Sequence, residues 1–197
     1  KFGNMNKRFV IGKFPRTRLR RNRQFPWTRN LISESDLSVN DLILPLFVTE
    51  GKKTIENISS LPSVKRYSID AILKKIEEVK DLKIPAVAIF PHIEKRLKTF
   101  DGKEALNKNN LICRTIKEIK KNFPDIGLIC DVALDPYTTH GHDGIVRKNY
   151  IANDETIEIL SEQAIIQAEA GADIIAPSDM MDGRIGVIRD RLDNEGF

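Results

Sequence analysis

The stretch DVALDPYTTHGHDG, residues 131–144, holds the side chains best suited to chemistry. Asp131, Asp135 and Asp143 lie among a proline and two glycines, which are turn formers that bend the chain back on itself. We therefore expect the three carboxylates to converge. Converging carboxylates raise one another's pKa unless a cation or a protonated substrate group lies among them. Ligation by oxygens alone suits Mg²⁺ or K⁺ better than Zn²⁺.

Two histidines, His140 and His142, occupy the same loop and allow two interpretations. A His-X-His pair can bind a transition metal, but this spacing alone is a weak signal. Loop histidines held by hydrogen bonds are the commoner case, and we favour that interpretation. Tyr137 and Thr138 are expected to line the loop and not to act in chemistry.

A second stretch, APSDMMDGR at residues 176–184, carries a hydroxyl group and two more acids. Ser178 has no neighbouring base in the sequence, so we expect it to form hydrogen bonds with a substrate and not to act as a nucleophile. Asp179 ends the same apolar run. Asp182, with Gly183, is expected to cap the following helix.

Four apolar runs must position these side chains, namely residues 42–48, 85–90, 127–134 and 172–178. They begin 43, 42 and 45 residues apart, and patterns typical of helices fill the gaps. We expect helices over 68–82 and 110–122, a third capped by Asn153 or Asp154, and a fourth from about Asp182 to Leu192. Continuous apolar runs are typical of buried parallel strands.

This repeated βα pattern predicts either a doubly wound sheet or a (β/α)₈ barrel. No GxGxxG or GxxxxGK[ST] motif follows a strand, which disfavours a nucleotide-binding sheet. In a barrel, active sites lie at the carboxyl ends of the strands, where Asp131, Asp135 and Ser178 fall. A structural role for Asp131, capping a neighbouring loop, stays open. The 197 residues hold about four of eight βα units, so we expect the first half of a longer protein or a barrel completed by another chain.

The charge of the chain is unevenly distributed. Residues 1–29 contain ten Lys or Arg and no acid, although the whole chain carries a net charge of only +4. We therefore divide the chain into a basic N-terminal arm, residues 1–35, and a half barrel, residues 36–197. The arm could dock on an acidic neighbouring subunit, bind nucleic acid, or be the remnant of a transit peptide. Five aromatic side chains in the arm favour docking: Phe2, Phe9, Phe14, Phe25 and Trp27.

The remaining composition indicates a soluble globular protein. No apolar run approaches the length of a membrane helix, so we expect no membrane partner. Cys113 and Cys130 lie in apolar surroundings and are expected to be buried, unreactive thiols. We expect a cytoplasmic protein, or an organellar one if a transit peptide has been removed.

Long motifs give the chain a family resemblance. The stretches DVALDPYTTHGHDG, NDETIEILSEQAIIQAEAGAD and APSDMMDGR resemble 5-aminolevulinate dehydratase, also called porphobilinogen synthase, from about residue 20 onward. The resemblance implies a (β/α)₈ barrel whose N-terminal arm wraps a neighbouring subunit in a homo-oligomer, commonly an octamer, and no nucleic acid partner. It also implies that two molecules of 5-aminolevulinate condense through Schiff bases to porphobilinogen, with loss of two waters, in heme biosynthesis.

The resemblance also bears on cations. Zinc-dependent members of the family place cysteines where this chain has Ala133, Asp135 and Asp143, so no zinc is expected. The chain resembles the aspartate-type branch, which responds to Mg²⁺ or to a monovalent cation such as K⁺ or Na⁺. Asp131, Ser178, Asp135 and Asp143 match its active-site positions, and Asp135 and Asp143 are the expected ligands of such a cation. An allosteric Mg²⁺ site is implied mostly outside this segment.

The resemblance implies two Schiff-base lysines on later strands, the first in a segment like MSYSAK. No such segment occurs here, and Lys95, Lys98 and Lys103 lie in polar contexts that do not suit the role. We therefore expect hydro-lyase activity only together with a C-terminal half. The alternative is a catalytically inactive fragment of the same fold that serves in oligomerisation or interaction.

Overall fold

The computed structural model describes residues 12–197, which form two compact units divided after Ser38. The described part of the first unit includes a short α-helix, α1 (Pro26–Leu31), whose first turn is stabilised by the Thr28 hydroxyl donating to the carbonyl of Phe25 at 2.8 Å. The predicted role of Phe2 and Phe9 in the arm falls outside the described residues.

The second unit, Val39–Phe197, alternates strands and helices as the sequence predicts. Four main strands are each followed by a helix, with two short hairpins in the connections. The elements in chain order are β1 (Ile43–Val48), β2 (Ile55–Asn57), β3 (Lys65–Tyr67), α2 (Ile69–Asp81), β4 (Ala86–Pro91), α3 (Leu111–Asn122), β5 (Gly127–Val132), β6 (Val146–Arg147), β7 (Tyr150–Ile151), α4 (Asn153–Ala170), β8 (Ile174–Pro177) and α5 (Arg184–Asn194).

The four main strands and the β2–β3 hairpin form one six-stranded sheet, in the order β2-β3-β1-β4-β5-β8. β1, β4, β5 and β8 are parallel and neighbours in chain order, which is how successive strands of a barrel lie. Their carboxyl ends therefore meet at one edge, and Asp131 of β5 pairs in register with Ala176 of β8. Within the described residues, β8 pairs only with β5, so its other edge is open.

The helices cover one face of the sheet. Leu128, Cys130 and Val132 alternate along β5 and are fully buried among the apolar side chains of α3 and α4. Asp131 projects from the opposite face, which in a barrel is the interior. The thiols are buried as predicted, and burial raises the pKa of Cys113 to about 11, so it stays protonated at neutral pH.

Several details differ from the sequence-based predictions. α4 begins at Asn153 with Ala152 as its N-cap, so the predicted cap by Asn153 or Asp154 is wrong. α5 begins at Arg184 with Gly183 at a φ of 81° as its N-cap, so of the predicted capping pair Asp182 and Gly183, only Gly183 caps the helix. The reason is one contact: the Asn153 side chain accepts from the Asp182 amide at 2.8 Å and thereby joins the starts of the two helices. No helix in residues 12–197 is long and apolar enough to cross a membrane.

Candidate active site

Asp131 lies at the carboxyl end of β5, where the backbone is held on both sides. Its amide group belongs to the sheet, and its carbonyl accepts from the side chain of Gln167 in α4 at 2.9 Å. The Oδ1 atom of Asp131 is buried and has no hydrogen-bond partner among residues 12–197. A buried carboxylate oxygen without a partner is costly, which indicates a group awaiting a ligand more than a structural cap.

The surroundings of Asp131 favour its protonated form. Burial raises the pKa of its carboxyl above the usual range, and the nearby charges of Asp135 and Asp179 raise it further. The neighbouring Ser178 side chain opposes this rise in pKa by favouring the carboxylate. Asp131 is thus prepared to hold a proton at a higher pH than an exposed aspartate.

An open pocket of about 340 Å³ lies at the same edge of the sheet. It gathers three of the four residues that the sequence singles out: Asp135, Asp143 and Ser178, with Gly141 and His142 completing its lining. Asp131 does not line this pocket and connects to it through Ser178. Of the three carboxylates expected to converge, Asp135 and Asp143 therefore share this pocket, and Asp131 lies outside its lining.

Asp135 lies at the mouth of the pocket and is itself exposed. Nearby protein atoms still remove enough solvent to raise its pKa, and the charge of Asp143 acts in the same direction. The Lys98 ammonium group opposes these effects. From the sequence, Lys98 is only a lysine in a polar context. Nothing in its local pattern shows that its loop lies against the loop after β5.

Backbone hydrogen bonds connect those two loops. The Thr99 amide donates to the carbonyl of Tyr137 at 3.1 Å, and the Thr139 amide donates to the carbonyl of Thr99 at 3.0 Å. His140 adds to the connection, because its Nε2 lies 3.1 Å from the carbonyl of Phe100 and its ring packs edge-on against the Phe100 ring. Tyr137 and Thr138 are buried beneath the loop.

Both histidines are engaged in local hydrogen bonds. The Nδ1 atom of His140 accepts from the amide of His142 at 3.1 Å. The Nδ1 atom of His142 lies 2.8 Å from Oδ1 of Asp143 and 3.0 Å from the amide of Gly144, so two groups compete for one ring nitrogen. These contacts fit the hydrogen-bonded interpretation of the pair.

Asp179, which the sequence places at the end of the fourth apolar run, is a further acidic residue next to Ser178. Its side chain is fully buried, and burial raises the pKa of its carboxyl. Oδ1 accepts from the amide of Met181 at 2.7 Å, and Oδ2 lies 2.9 Å from Nε of Arg184. The guanidinium N–H is not aligned with that oxygen, so this contact is an ion pair without a good hydrogen bond. Only its position after a strand could have signalled Asp179 from the sequence.

The acidic pocket offers few ligands for a metal ion. In the part of the chain that the structure describes, no three His, Cys, Asp or Glu side chains lie close enough to hold one. Asp135 and Asp143 face one pocket and could supply two oxygens. That donor set fits Mg²⁺, which commonly binds one or two carboxylates and keeps several waters.

Four parallel βα units, with acidic side chains at the carboxyl ends of β5 and β8, have the arrangement of a (β/α)₈ barrel. A family profile described as delta-aminolevulinic acid dehydratase matches residues 16–197. The chain belongs to that family.

Individual relatives agree with the profile. The delta-aminolevulinic acid dehydratase of Bradyrhizobium diazoefficiens is 50% identical over 180 residues, which are 91% of this chain and 51% of that protein. The chloroplastic enzyme of Glycine max is 43% identical, over 91% of this chain and 44% of that protein. The chain thus spans about half the length of these relatives.

The fold matches a solved member of the family. The crystal structure of delta-aminolevulinic acid dehydratase (porphobilinogen synthase) from Toxoplasma gondii, in complex with the reaction product porphobilinogen, superimposes with a TM-score of 0.87 at 42% identity. The match covers 91% of this chain and 51% of that one. The chain therefore forms about half of a (β/α)₈ barrel, as the sequence predicts.

Proposed function

We propose that this chain supplies the N-terminal half of a porphobilinogen synthase, which condenses two molecules of 5-aminolevulinate to porphobilinogen with loss of two waters. The observation that carries the proposal is the gathering of Asp135, Asp143 and Ser178 in one pocket, beside the half-buried Asp131, in a chain of this family. The product bound to the Toxoplasma gondii relative supports the choice of substrate class.

The four predicted site residues take different roles in this proposal. Asp131, with its raised pKa, accepts and returns a proton as water is expelled, since a general acid–base group works best when its pKa lies nearer the operating pH. Ser178 holds Asp131 and donates to a substrate oxygen. Asp135 and Asp143 attract the ammonium group of 5-aminolevulinate or a cation. Mg²⁺, K⁺ or Na⁺ bound there would neutralise their charge.

The C-terminal half supplies the Schiff-base lysines and the other four βα units. The open edge of β8 is where that half would continue the sheet. In this proposal the 197 residues alone form no porphobilinogen, and an allosteric Mg²⁺ site lies mostly in the other half.

A chimera tests the proposal directly. The chain is joined to the C-terminal half of the Bradyrhizobium diazoefficiens relative, and porphobilinogen formed from 5-aminolevulinate is measured by pyrrole colorimetry. The chimera should be active and the chain alone inactive. A folded chimera without activity would overturn the proposal and favour a non-catalytic role in oligomerisation. Activity of the isolated chain would contradict the need for the second half.

The basic arm is proposed to join subunits of a homo-oligomer, with an octamer as the expected assembly. Its apolar side chains need a partner: Trp27 and Leu31 are 65% and 77% exposed, and the rings of Phe25 and Trp27 stack at 6.3 Å. Removal of residues 1–38 should reduce the mass of the assembly and leave the barrel unit folded. A cytoplasmic location, or an organellar one as in the chloroplastic relatives, remains part of the proposal.

A further inference from the structure

A second pocket, of about 460 Å³, lies between the β2–β3 hairpin and α2. None of its residues lines the acidic pocket described above. Its walls combine an apolar surface, formed by Ile55, Tyr67 and Ala71, with two acids and four lysines. The lysines are Lys53, Lys65, Lys74 and Lys75.

Local contacts engage both acids. Glu78 forms an ion pair with Lys75 at 2.6 Å, so one of the four lysines already has a carboxylate partner. Asp70 accepts from the backbone amide of Lys53 at 2.8 Å and from the hydroxyl of Ser68 at 2.7 Å. The Ser68 hydrogen bond lowers the pKa of Asp70, so this carboxylate is ionised and already hydrogen-bonded.

Three lysines are left without a carboxylate. Among residues 12–197, no ion pair or side-chain hydrogen bond involves the ammonium group of Lys53, Lys65 or Lys74. The three lysines line one concavity, and like charges that border the same concavity repel one another. An anion of matching size would relieve that repulsion.

The backbone contributes to this arrangement. Lys53 has a φ of 54°, in the left-handed region that non-glycine residues rarely adopt. The two contacts from its amide to the Asp70 carboxylate, at 2.8 and 3.1 Å, hold it there. Strained residues held by their surroundings are frequent at ligand sites.

We propose that this pocket binds a triphosphate group, with Lys53, Lys65 and Lys74 as its cationic contacts. Lysine ammonium groups bind phosphate as point charges, and several adjacent phosphates match several adjacent lysines. The volume lies within the range of small-molecule sites. The apolar wall of Ile55 and Tyr67 offers a surface for a base, so a nucleoside triphosphate fits better than free triphosphate.

Calorimetric titration with inorganic triphosphate and, separately, with ATP tests the proposal. The variants are Lys53→Gly, which keeps the left-handed backbone accessible, and Lys74→Ala on the exposed side of α2. Lys121→Ala, an exposed lysine of α3 outside the pocket, is the matched control. Circular dichroism of each variant checks that the fold is retained.

Saturable binding of one triphosphate per chain is expected, weakened about tenfold by either pocket variant and unchanged in the control. Tighter binding of ATP than of triphosphate would identify a nucleoside triphosphate as the ligand. Equal binding of the two would identify free triphosphate as the ligand. Absence of saturable binding by either probe would overturn the site. Equal loss in Lys121→Ala would overturn it too, because it would mean that only the overall charge matters.

Discussion

The Nε atom of Arg184, the first residue of α5, lies 2.9 Å from Oδ2 of Asp179, a carboxylate with no exposed surface. The same guanidinium donates from Nη1 to the carbonyl of Met181 at 2.9 Å, and the Met181 amide donates to Oδ1 of Asp179 at 2.7 Å. Three residues thus fix the turn from β8 into α5. Asp179 adjoins Ser178, so this turn also fixes one side of the candidate site.

Replacing Arg184 by methionine should destabilise the protein. The substitution leaves the buried Asp179 carboxylate without its counter-charge, and breaking such a pair costs about 3 kcal/mol of unfolding free energy. The double variant Asp179→Asn/Arg184→Met should recover much of the loss. Urea unfolding measures both. Arg189→Met, which removes an exposed partner of Asp193, is the control and should change stability by less than about 0.5 kcal/mol.

The raised pKa values of two acids of the site predict an unusual dependence of stability on pH. Burial raises the pKa of Asp131 and of Asp179, so the folded state binds more protons than the unfolded state between the ordinary aspartate pKa of 3.8 and the raised pKa. The unfolding free energy should therefore fall as pH rises through that interval. Asp131→Asn should reduce the fall.

Asp70 is the control for this pH dependence, because its contribution to the unfolding free energy changes with pH in the opposite direction. The pKa of Asp70 is lowered, so its contribution is present above 3.8 and is lost as pH decreases through the lowered value. Asp70→Asn should therefore leave unchanged the decrease in unfolding free energy that occurs as the pH rises above 3.8. Urea unfolding across the acid range measures these slopes, and an Asp131→Asn slope equal to that of the parent would contradict the assignment.

Gly144 tests how tightly the acidic loop is packed. A Cβ atom there would lie 2.7 Å from Cε of Met181 and 2.9 Å from Cγ2 of Ile151. Gly144→Ala should therefore cost about 1–3 kcal/mol and displace the neighbouring Asp143. Gly186→Ala, where nothing lies within 4 Å, should instead stabilise α5 by about 1 kcal/mol. Thermal unfolding of the two variants compares them, and equal melting temperatures would contradict this account.

The main strands and helices could be predicted because each carries a long, uniform signal. Continuous apolar runs define β1, β4, β5 and β8 even though a buried strand shows no alternation. The β2–β3 hairpin was missed because Ile55–Asn57 and Lys65–Tyr67 are three residues each and mostly polar. A strand of three residues is too short to show an alternation of apolar and polar residues. The apolar run predicts that β5 ends at Leu134, two residues after its observed end at Val132. The carbonyl of Leu134 instead accepts from the amides of Tyr137 and Thr138 in a turn.

The residue types of the site could also be predicted, but their partners could not. Strand ends and turn formers were enough to select Asp131, Asp135, Asp143 and Ser178. The pairing of Asp179 with Arg184 depends on how a turn packs, and no spacing rule encodes it. Lys98 affects Asp135 only because two loops distant in sequence form hydrogen bonds with each other.

Asp131 should be essential in the active chimera. Asp131→Asn keeps the shape and removes the proton-transfer group, so turnover should fall at least about a hundredfold, and Asp131→Ala should abolish it. The fold should persist, because Oδ1 has no hydrogen bond to lose within the described residues. Asp125→Asn, an exposed acid before the amino end of the same strand, should leave activity unchanged. Normal turnover in Asp131→Ala with intact circular dichroism would remove the assignment.

Cation dependence separates the roles of Asp135 and Asp143 from that of Asp131. Because the pocket offers carboxylates and no thiolate, a zinc-selective chelator should leave activity of the chimera unchanged, and Mg²⁺ or K⁺ should modulate it. Asp135→Asn and Asp143→Asn should each raise the cation concentration needed for half of the effect. Asp154→Asn, in the first turn of α4 and outside the pocket, should not. Inhibition by the chelator that only Zn²⁺ reverses would show that this pocket holds a different metal from the one its oxygens favour.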